Sequence, residues 1–429
     1  MMPKVVVVGG GWAGCAAAIS AAKAGADVVL LERTDMFLGT GLVGGIMRNN
    51  GRFTATEELL ALGGGDLFEV TDEVSRHKNV EFPGHKHASL YDVAKVEPAV
   101  KNRMAQYGKI QFRTEARVKD IQMEGSRITA VVVDETDVIQ GDVFVDASGT
   151  AGPQGNCTKY GNGCAMCIYR CPTFGGRVSI AAKAGVKEII GRKADGSLGA
   201  MSGSCKLHKD SIRPDIIEEM DRTGVAVVPI PEQLRKSDSL SQKACQQYAL
   251  KEFADNVILL DTGHAKLMSP FYPLDKLRQV PGFEDARFED PYSGGIGNSV
   301  RYLGMCPRDN TLKVQGDVDN LFCAGEKAGL LVGHTEAVVT GTLAGHNAVR
   351  AAVNKDLLEL PRSLAVGDAI AHVKDQMTTE DGLTKKYTFS GSVYFQRMKE
   401  QNLYTSDVNV IKQKVDAAGL AGVFAQPLS

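Results

Sequence analysis

The run Val5-Val-Val-Val-Gly-Gly-Gly-Trp-Ala-Gly14, close to the start of the chain, decides its fold. Four consecutive valines are typical of a buried parallel strand, because such a strand is covered on both faces. Residues 13–24 are small and favour a helix, which Gly25 ends. Residues 28–31 are apolar again and lead to Glu32, so they predict a second strand. This order predicts a βαβ unit that opens a doubly wound α/β domain.

The glycines of this run have the spacing G-x-G-x-x-G at Gly9, Gly11 and Gly14. In this pattern Gly9 permits a tight turn, Gly11 lets the backbone approach a pyrophosphate, and Gly14 lets the helix pack close to the sheet. The helix N-terminus directs N–H groups at phosphates, and Glu32 can accept a hydrogen bond from a ribose hydroxyl. An ordinary glycine-rich turn would not need this spacing together with the acidic residue. We therefore predict a site for an adenine dinucleotide.

Length and composition are those of an ordinary globular protein. The 429 residues allow two or three domains, and 43% hydrophobic with 23% charged residues excludes a disordered chain. A net charge of −2 excludes a global field that attracts nucleic acid. Nine cysteines, an odd number, favour thiols or ligands over a disulfide framework. Residues 5–22 are uncharged, but the glycines favour βαβ over a signal peptide or membrane helix, so we expect a cytoplasmic protein without a membrane partner.

Beyond Glu32 the chain alternates between short predicted elements and glycine-rich loops. The loop at residues 37–46 is suited to pass close to a flat cofactor, the alternative being a flexible connection. Residues 56–107 are predicted to be mainly helical. Short alternating strands in residues 110–146 predict a β-meander that returns to the main sheet, and residues 145–150 end the return strand in another glycine turn.

The second half of the chain returns to the first domain only near its end. Residues 151–310 lack a βαβ rhythm, residues 320–326 predict a last strand, and residues 334–353 predict a helix of small residues. The predicted fold is α/β: a Rossmann-like dinucleotide-binding domain, made of a parallel sheet plus a β-meander, with an inserted second domain and a helical C-terminal extension. The predicted domains are residues 1–160 with 310–355, residues 161–309, and residues 356–429.

Four of the nine cysteines form the cluster Cys157-x6-Cys164-x2-Cys167-x3-Cys171-Pro172. Its end reproduces the bacterial ferredoxin pattern C-x2-C-x3-C-P, with the first cysteine displaced upstream. These four cysteines are candidate ligands of a [4Fe–4S] cluster or of a structural zinc ion. Alternatively, Cys164 and Cys167 are redox-active or nucleophilic thiols at the cofactor. The remaining interpretation is that all four are reduced packing thiols without a chemical role.

A basic stretch follows the cysteines. Residues 170–213 contain nine Lys or Arg against the acids Glu188, Asp195 and Asp210. One interpretation is a solvated face whose acidic partners come from elsewhere in the fold. The other is a docking patch for an acidic electron carrier, an anionic substrate or tRNA phosphates.

A second glycine-rich loop lies at residues 293–299, just before the return to the first domain. Arg301 could hold a substrate carboxylate and Tyr302 could donate a proton. The alternative is a plain surface turn.

Three stretches together resemble one superfamily. Residues 5–32, 146–150 and 320–326 with the helix that follows are similar to FAD-dependent oxidoreductases of the glutathione-reductase type. This resemblance implies that FAD is bound, with Gly149 beside the dinucleotide and Gly325 and Glu326 at the ribityl chain. It also implies that the helix beginning at His334 faces the isoalloxazine ring, where a positive helix end stabilises negative charge. The predicted FAD-site residues are Gly9, Gly11, Trp12, Ala13, Gly14, Glu32, Arg33, Gly39, Val118, Gly149, Gly325, Glu326, Gly333, His334 and Thr335.

A narrower resemblance covers residues 277–288 and 320–351, including Gly341-Thr-Leu-Ala-Gly-His-Asn-Ala348. These segments resemble the folate- and FAD-dependent tRNA uracil-5-methyltransferases. They are also similar to their relatives, the glucose-inhibited-division tRNA uridine-modifying flavoproteins. The methyltransferases carry a reactive cysteine in the loop after the second strand, whereas residues 41–45 hold no cysteine. The long basic helical tail of the tRNA uridine-modifying flavoproteins is also absent.

From the sequence we expect a FAD-dependent oxidoreductase that transfers electrons or hydride at flavin N5. A small-molecule substrate or an electron carrier is the expected partner, and the Cys157–Cys171 cluster is the expected iron–sulfur or thiol relay. One alternative is a flavin-dependent tRNA-modifying enzyme, and another is a non-catalytic FAD electron-transfer subunit. We also expect a homo-oligomer.

Overall fold

The computed structural model describes residues 2–150, 170–193, 195–198, 200–202, 205–235, 248–268, 273–289, 299–301 and 304–428, the short segments 200–202 and 299–301 by their backbone. Its strands are β1 (Lys4–Val8), β2 (Asp27–Leu31), β3 (Ile46–Met47), β4 (Ser75–Phe82), β5 (His85–Tyr91), β6 (Ile110–Arg113), β7 (Val118–Glu124), β8 (Arg127–Val133), β9 (Asp137–Gln140), β10 (Val143–Asp146), β11 (Ile189–Ile190), β12 (Ala200–Ser202), β13 (Cys205–Leu207), β14 (Val225–Pro229), β15 (Asn256–Asp261), β16 (Ala265–Leu267), β17 (Ser299–Arg301), β18 (Gly304–Met305) and β19 (Leu321–Cys323).

The α-helices are α1 (Trp12–Lys23), α2 (Gly41–Gly44), α3 (Gly51–Ala61), α4 (Asp66–Glu73), α5 (Val96–Ala105), α6 (Cys171–Phe174), α7 (Ile180–Lys183), α8 (Pro214–Thr223), α9 (Lys251–Asp255), α10 (Leu274–Leu277), α11 (His334–Ala352), α12 (Ala365–Gln376), α13 (Glu380–Thr384), α14 (Ser392–Glu400) and α15 (Val408–Ala417). Short 3-10 helices span Lys209–Ser211, Glu232–Leu234 and Gly325–Ala328. Within the described ranges, no helix has the length and apolar character needed to cross a membrane.

A parallel sheet lies at the centre of the fold, as the opening valines predict. Its strand order is β19-β10-β1-β2-β6, and all its described neighbours pair in parallel. Val5, Val6 and Val7 of β1 are fully buried, since α1 and α11 pack on this sheet. The carboxyl ends of β1, β2, β10 and β19 lie along one edge of the sheet, where α/β folds place their ligands.

Two helices approach each other unusually closely beside this sheet. A Cβ atom built on Gly341 of α11 would lie 2.1 Å from the carbonyl oxygen of Ala13, and one on Gly345 would lie 2.2 Å from that of Ala17. The hydroxyl of Ser20 adds a 2.8 Å hydrogen bond to the carbonyl oxygen of Thr342. The two glycines therefore let α11 rest on α1, which brings the first turns of both helices to the same edge of the sheet.

The predicted β-meander is confirmed, with one change. Strands β7, β8 and β9 form an antiparallel sheet, and β10 returns to the central sheet, whereas β6 joins the central sheet beside β2. The expectation that residues 56–107 are mainly helical is wrong for residues 75–91. Strands β4 and β5 pair there as a hairpin around Pro83 and Gly84, because their apolar side chains pack against β14 and β15.

Residues 205–289 contain a four-stranded antiparallel sheet in the order β13-β16-β15-β14. Leu207, Met220, Leu259 and Phe283 belong to its own apolar core. Residues of 180–189 and 304–306, in contrast, pack into the core of the central sheet. The domain boundaries stay a prediction.

The C-terminal extension is helical, and it returns to the central part of the molecule. Tyr387 pairs with Leu331 in parallel, donating to the carbonyl oxygen of Leu330 at 2.9 Å and accepting from the N–H of Val332 at 2.9 Å. This places residues 387–390 beside the segment that leads into α11.

Candidate dinucleotide site

The first and third glycines of the opening motif are required by packing within the protein. Gly9 has φ +103°, and its N–H donates to the carbonyl oxygen of Leu31 at 2.8 Å. A Cβ on Gly14 would lie 1.8 Å from the carbonyl oxygen of Gly9, and one on Gly9 would lie 2.4 Å from that of Ala147. There is therefore no room for a side chain at Gly9 or Gly14, where β1 is in close backbone contact with α1 and with the turn after β10.

Three other glycines at the same edge face open space instead. For Gly11, Gly39 and Gly149, a Cβ would meet no heavy atom of the described residues within 4 Å. Gly11 is the N-cap of α1, whose first N–H groups have no partner within the helix. The backbone is thus uncovered where a pyrophosphate needs close approach and N–H donors. We call the backbone at Gly11, Gly39 and Gly149 the open glycine cradle, and it fits the dinucleotide that the sequence predicts.

The carboxylate of Glu32 is fixed by its own turn. It is 9% exposed, and Oε2 accepts the N–H of Gly10 at 2.7 Å. Its other oxygen accepts the N–H of Thr34 at 2.9 Å and the hydroxyl of Thr34 at 3.0 Å. Because a carboxylate has about four lone-pair positions, one remains for a ribose hydroxyl.

The β-meander reaches the same place through backbone bonds. The N–H of Ala116 donates to the carbonyl oxygen of Glu32 at 2.9 Å, which joins the start of β7, with the buried Val118, to the residue that follows β2. Arg33 points elsewhere, because its guanidinium donates to the carbonyl oxygen of Gly175 at 2.6 Å.

At the other end of the site, the residues after β19 contact the turn after β10. Gly325 has φ +64°, and its N–H donates to the hydroxyl of Thr340 at 2.9 Å. The hydroxyl of Thr150 donates to the carboxylate of Glu326. A Cβ on Gly325 would be 2.9 Å from the Cβ of Ala13. The structure therefore gathers Ala13, Gly149, Gly325 and Glu326 at the same edge as Gly9.

Aromatic side chains surround the first residue of α11. The ring of His334 lies 5.9 Å from that of Trp12 and 6.4 Å from that of Tyr91, measured between centroids. Tyr91 donates to the carbonyl oxygen of Gly41 at 2.7 Å, and burial raises the pKa of its phenol, so it stays protonated at neutral pH. Trp12 is buried and packs against Gly41 of the loop at residues 37–46, where a Cβ would lie 2.4 Å from its Nε1. Thr335 is also fully buried, with its hydroxyl 3.8 Å from the sulfur of Met47.

A buried ion-pair network also lies at the start of α11. Arg52 is bonded to Glu336, and both contact Thr388 of the C-terminal extension. Sequence reasoning missed Arg52, Tyr91 and Thr388. The sequence places Glu336 in the first turn of a predicted helix, where an acidic residue is favourable. Nothing in the sequence indicates that residues 52 and 388 contact Glu336.

A second buried ionic cluster lies beneath Glu326. Lys327 is fully buried, contacts the carboxylate of Glu188, and lies 3.7 Å from that of Asp146. Burial alone would raise the pKa of Glu188, but the charges of Lys327 and Arg177 lower it to about 2. This cluster attaches the segment that follows the cysteine stretch to the central sheet.

Most of the predicted catalytic and metal-binding residues lie outside the part of the chain that the structure describes. Cys157, Cys164, Cys167 and Tyr302 lie outside the residues that the structure describes. Cys171 opens α6. Arg301 ends β17, opposite Ala200 in the register. Over the described ranges, no group of three or more His, Cys, Asp or Glu is placed to hold a metal ion.

Most of the basic stretch is paired with acids. Six of its nine Lys or Arg lie within 4.0 Å of an acidic oxygen, through the pairs Arg170–Asp35, Arg177–Glu188, Lys183–Asp120, Lys206–Glu289, Lys209–Asp261 and Arg213–Asp215. Three are left, Lys187, Arg192 and Lys193, for which the described part of the chain supplies no ion pair. Four of these six pairs take their acid from other parts of the fold, whereas Glu188 lies within the stretch and Asp215 directly after it.

Known proteins match this chain in family and in fold. A family model described as glucose inhibited division protein A matches residues 4–259 and 234–356. The structure is similar to that of GidA from Aquifex aeolicus in two crystal forms, at 15% identity. The TM-scores are 0.65 for form I and 0.62 for form II, over 97% of this chain and 79% and 76% of those chains.

A geranylgeranyl bacteriochlorophyll reductase-like protein from Thermoplasma acidophilum is also similar in fold. It has a TM-score of 0.50 at 12% identity, over 97% of this chain and 100% of that chain. Comparison with the sequences of curated proteins gives no match.

Proposed function

The chain belongs to the glucose inhibited division protein A family, and from that premise we propose that it is a FAD-dependent enzyme that modifies tRNA. The single observation that carries the proposal is the family match over residues 4–356, which includes every glycine of the open cradle. The resemblance of residues 320–351 to tRNA uridine-modifying flavoproteins supports the same choice of substrate.

In this proposal FAD, when bound, supplies hydride-transfer chemistry at its ring. The first N–H groups of α1 bind the pyrophosphate, with the bare backbone at Gly11 and Gly149 giving it room. Glu32 accepts a ribose hydroxyl with its remaining lone pair. The first turn of α11, beginning at His334, presents its positive end to the ring.

The three basic residues left without an acidic partner among the described residues are the proposed phosphate contacts of the tRNA. Lys187 and Arg192 are exposed and Lys193 is half-buried. They lie on the segment that Lys327 and Glu188 attach to the central sheet, so phosphates bound there are held close to the FAD site.

The test is a tRNA-binding titration over a series of salt concentrations. The plot of the logarithm of the tRNA association constant against log salt has a negative slope. The proposal predicts that changing Lys187, Arg192 and Lys193 together to alanine makes this slope shallower by about 2 to 3. The matched control changes Lys355, which directly precedes the C-terminal extension, and Lys374 and Lys412 within it to alanine, with the same loss of charge and an unchanged slope expected. Wild-type protein that binds FAD but not tRNA would contradict the proposed substrate.

A second candidate is a flavin oxidoreductase acting on a small molecule or an electron carrier. The ion pairing of six of the nine basic residues favours it, because paired charges leave little field for a polyanion. The iron–sulfur relay is not part of either proposal, since the family match gives it no support. The homo-oligomer and the cytoplasmic location stay predictions.

A further inference from the structure

We propose that Arg52 is a positioning residue for the flavin ring, because it holds the first turn of α11 in place through Glu336. This inference rests on the proposed binding of FAD and adds a role for a residue at the start of α3 and for the C-terminal extension. Neither Arg52 nor Thr388 belongs to the glycine cradle.

The pair is deeply buried and well bonded. Arg52 is 2% exposed and Glu336 is 1% exposed. The Nε of Arg52 lies 3.2 Å from each carboxylate oxygen of Glu336, and its Nη2 lies 3.1 Å from Oε2. The Nη1 of Arg52 also donates to the side-chain oxygen of Asn49 at 3.2 Å. The guanidinium therefore joins the loop before α3 to the first turn of α11.

The C-terminal extension completes the same network from the opposite side. The hydroxyl of Thr388 donates to Oε1 of Glu336 at 2.7 Å, and the N–H of Phe389 donates to the same oxygen at 2.8 Å. Arg52 in turn donates to the hydroxyl of Thr388 at 3.2 Å. Together with the backbone bonds of Tyr387, these contacts fix the segment that precedes His334.

Arg52 also touches the backbone that would lie nearest to the ring. A Cβ on Gly333, the N-cap of α11, would be 1.9 Å from Nη2 of Arg52. Gly333 has φ +150°, a conformation that favours glycine. The guanidinium thus packs directly against the residue before His334, so a change at Arg52 acts on the ring end of the site.

Charge explains why the pair matters beyond packing. The N-terminus of a helix carries a partial positive charge, which favours electron density on a reduced ring. A lone carboxylate in that first turn would offset this field, and an unpaired buried charge is costly. Arg52 supplies the opposite charge to Glu336, so the positive end of α11 stays effective.

The experiment compares Arg52→Met, Arg52→Lys and Thr388→Val with a matched control, Arg397→Met. The Arg397–Asp368 pair is also bidentate, at 2.7 and 2.8 Å, and its carboxylate is also buried, but it joins α14 to α12. Three quantities are measured without tRNA: the dissociation constant of FAD, the reduction potential of bound FAD, and the melting temperature.

For Arg52→Met, we expect the FAD dissociation constant to rise about tenfold and the reduction potential to fall, since the charge of Glu336 is uncompensated. Arg52→Lys should restore most of the potential because it keeps the charge. Thr388→Val should raise the FAD dissociation constant about threefold and also lower the reduction potential. This variant tests the inference if Arg52→Met does not fold. Arg397→Met should lower the melting temperature and leave both FAD quantities unchanged.

The inference would be overturned if Arg52→Met and Thr388→Val had a lower melting temperature but the wild-type FAD affinity and reduction potential. The pair would then have a purely structural role. Because tRNA is absent from these assays, failure of the proposed substrate leaves the result intact. Wild-type protein that binds no FAD would instead overturn the proposed function, and this inference with it.

Discussion

The nucleotide end and the ring end of the site are built in different ways. At the nucleotide end, Gly9 to Glu32 are neighbours in the sequence, and close backbone contacts between glycines define the geometry. At the ring end, Arg52, Glu336 and Thr388 come from three distant parts of the chain, and a buried ion pair holds them together. We therefore expect the local motif to bind the cofactor, and contacts that form only in the complete fold to orient the flavin ring.

This difference separates two kinds of variant. Changes at the nucleotide end should alter folding or affinity according to the space beside each glycine. Changes at the ring end should alter the properties of bound FAD. Three predictions test the nucleotide end and the helix that connects it to the ring end.

The largest effect is expected from Gly14→Val. A Cβ there would lie 1.8 Å from the carbonyl oxygen of Gly9, so α1 must move away from β1. We expect the free energy of unfolding to fall by more than about 3 kcal/mol, with loss of FAD binding. Chemical denaturation followed by circular dichroism measures the change.

Gly11→Val is the matched comparison at the same turn. A Cβ at residue 11 meets no described heavy atom within 4 Å, so the variant should unfold at the wild-type denaturant concentration but bind no FAD. Equal destabilisation of the two variants would mean that the open space at Gly11 is not reserved for a ligand.

The second prediction concerns Glu32→Ala. Loss of the carboxylate removes the proposed charge-assisted hydrogen bond to the ribose and the acceptor of the Gly10 N–H. We expect the dissociation constant of FAD to rise about 10- to 100-fold, measured by titrating the apoprotein. Glu115→Ala, a nearby exposed acid, should leave the affinity unchanged. A similar loss in both variants would indicate a general effect of charge.

The smallest effect is expected in α11 itself, at His346. This residue is fully buried, and neither ring nitrogen has a hydrogen-bond partner among the described residues. Burial, with a smaller effect of Arg350, lowers its pKa to about 4. Since the unfolded state has a pKa of about 6.5, it binds more protons, and stability must fall as the pH drops from about 6.5 towards 4.

His346→Phe should remove this pH dependence. Near pH 7 the two proteins should be almost equally stable, but at about pH 5 the wild type should have lost about 2 kcal/mol more. Denaturation at both pH values measures this difference. FAD affinity should not follow it, because His346 packs on Phe424 near the far end of α11, away from His334. A parallel loss in wild type and variant would contradict the assignment.

The sequence predicts the central sheet, the glycine turn and the helix of small residues at 334–353, because each depends on residue types at fixed short spacing. It also predicts Gly11, Gly149 and Gly325 as members of one site, through resemblance in separate segments. It does not predict the hairpin at residues 75–91, whose strands are stabilised by packing against β14 and β15. Nor does it predict that Arg52 pairs with Glu336, since a charged residue in a sequence gives no sign of its partner.

The basic stretch illustrates the same limit. Nine positive residues against three acids looked like a one-sided field. Asp35, Asp120, Asp261 and Glu289 supply part of the missing charge from other parts of the fold. Lys187, Arg192 and Lys193 have no ion pair among the described residues, and to these three we assign the proposed docking role.

The central claim is that the open cradle around Gly11 and Gly149 holds FAD, and the ratio of FAD to protein tests it most directly. The ratio is measured by absorbance after the protein has been incubated with FAD and separated from free cofactor by gel filtration. The account predicts one FAD per chain in the wild type and none in Gly11→Val. Wild-type protein that stays colourless after this treatment would contradict it.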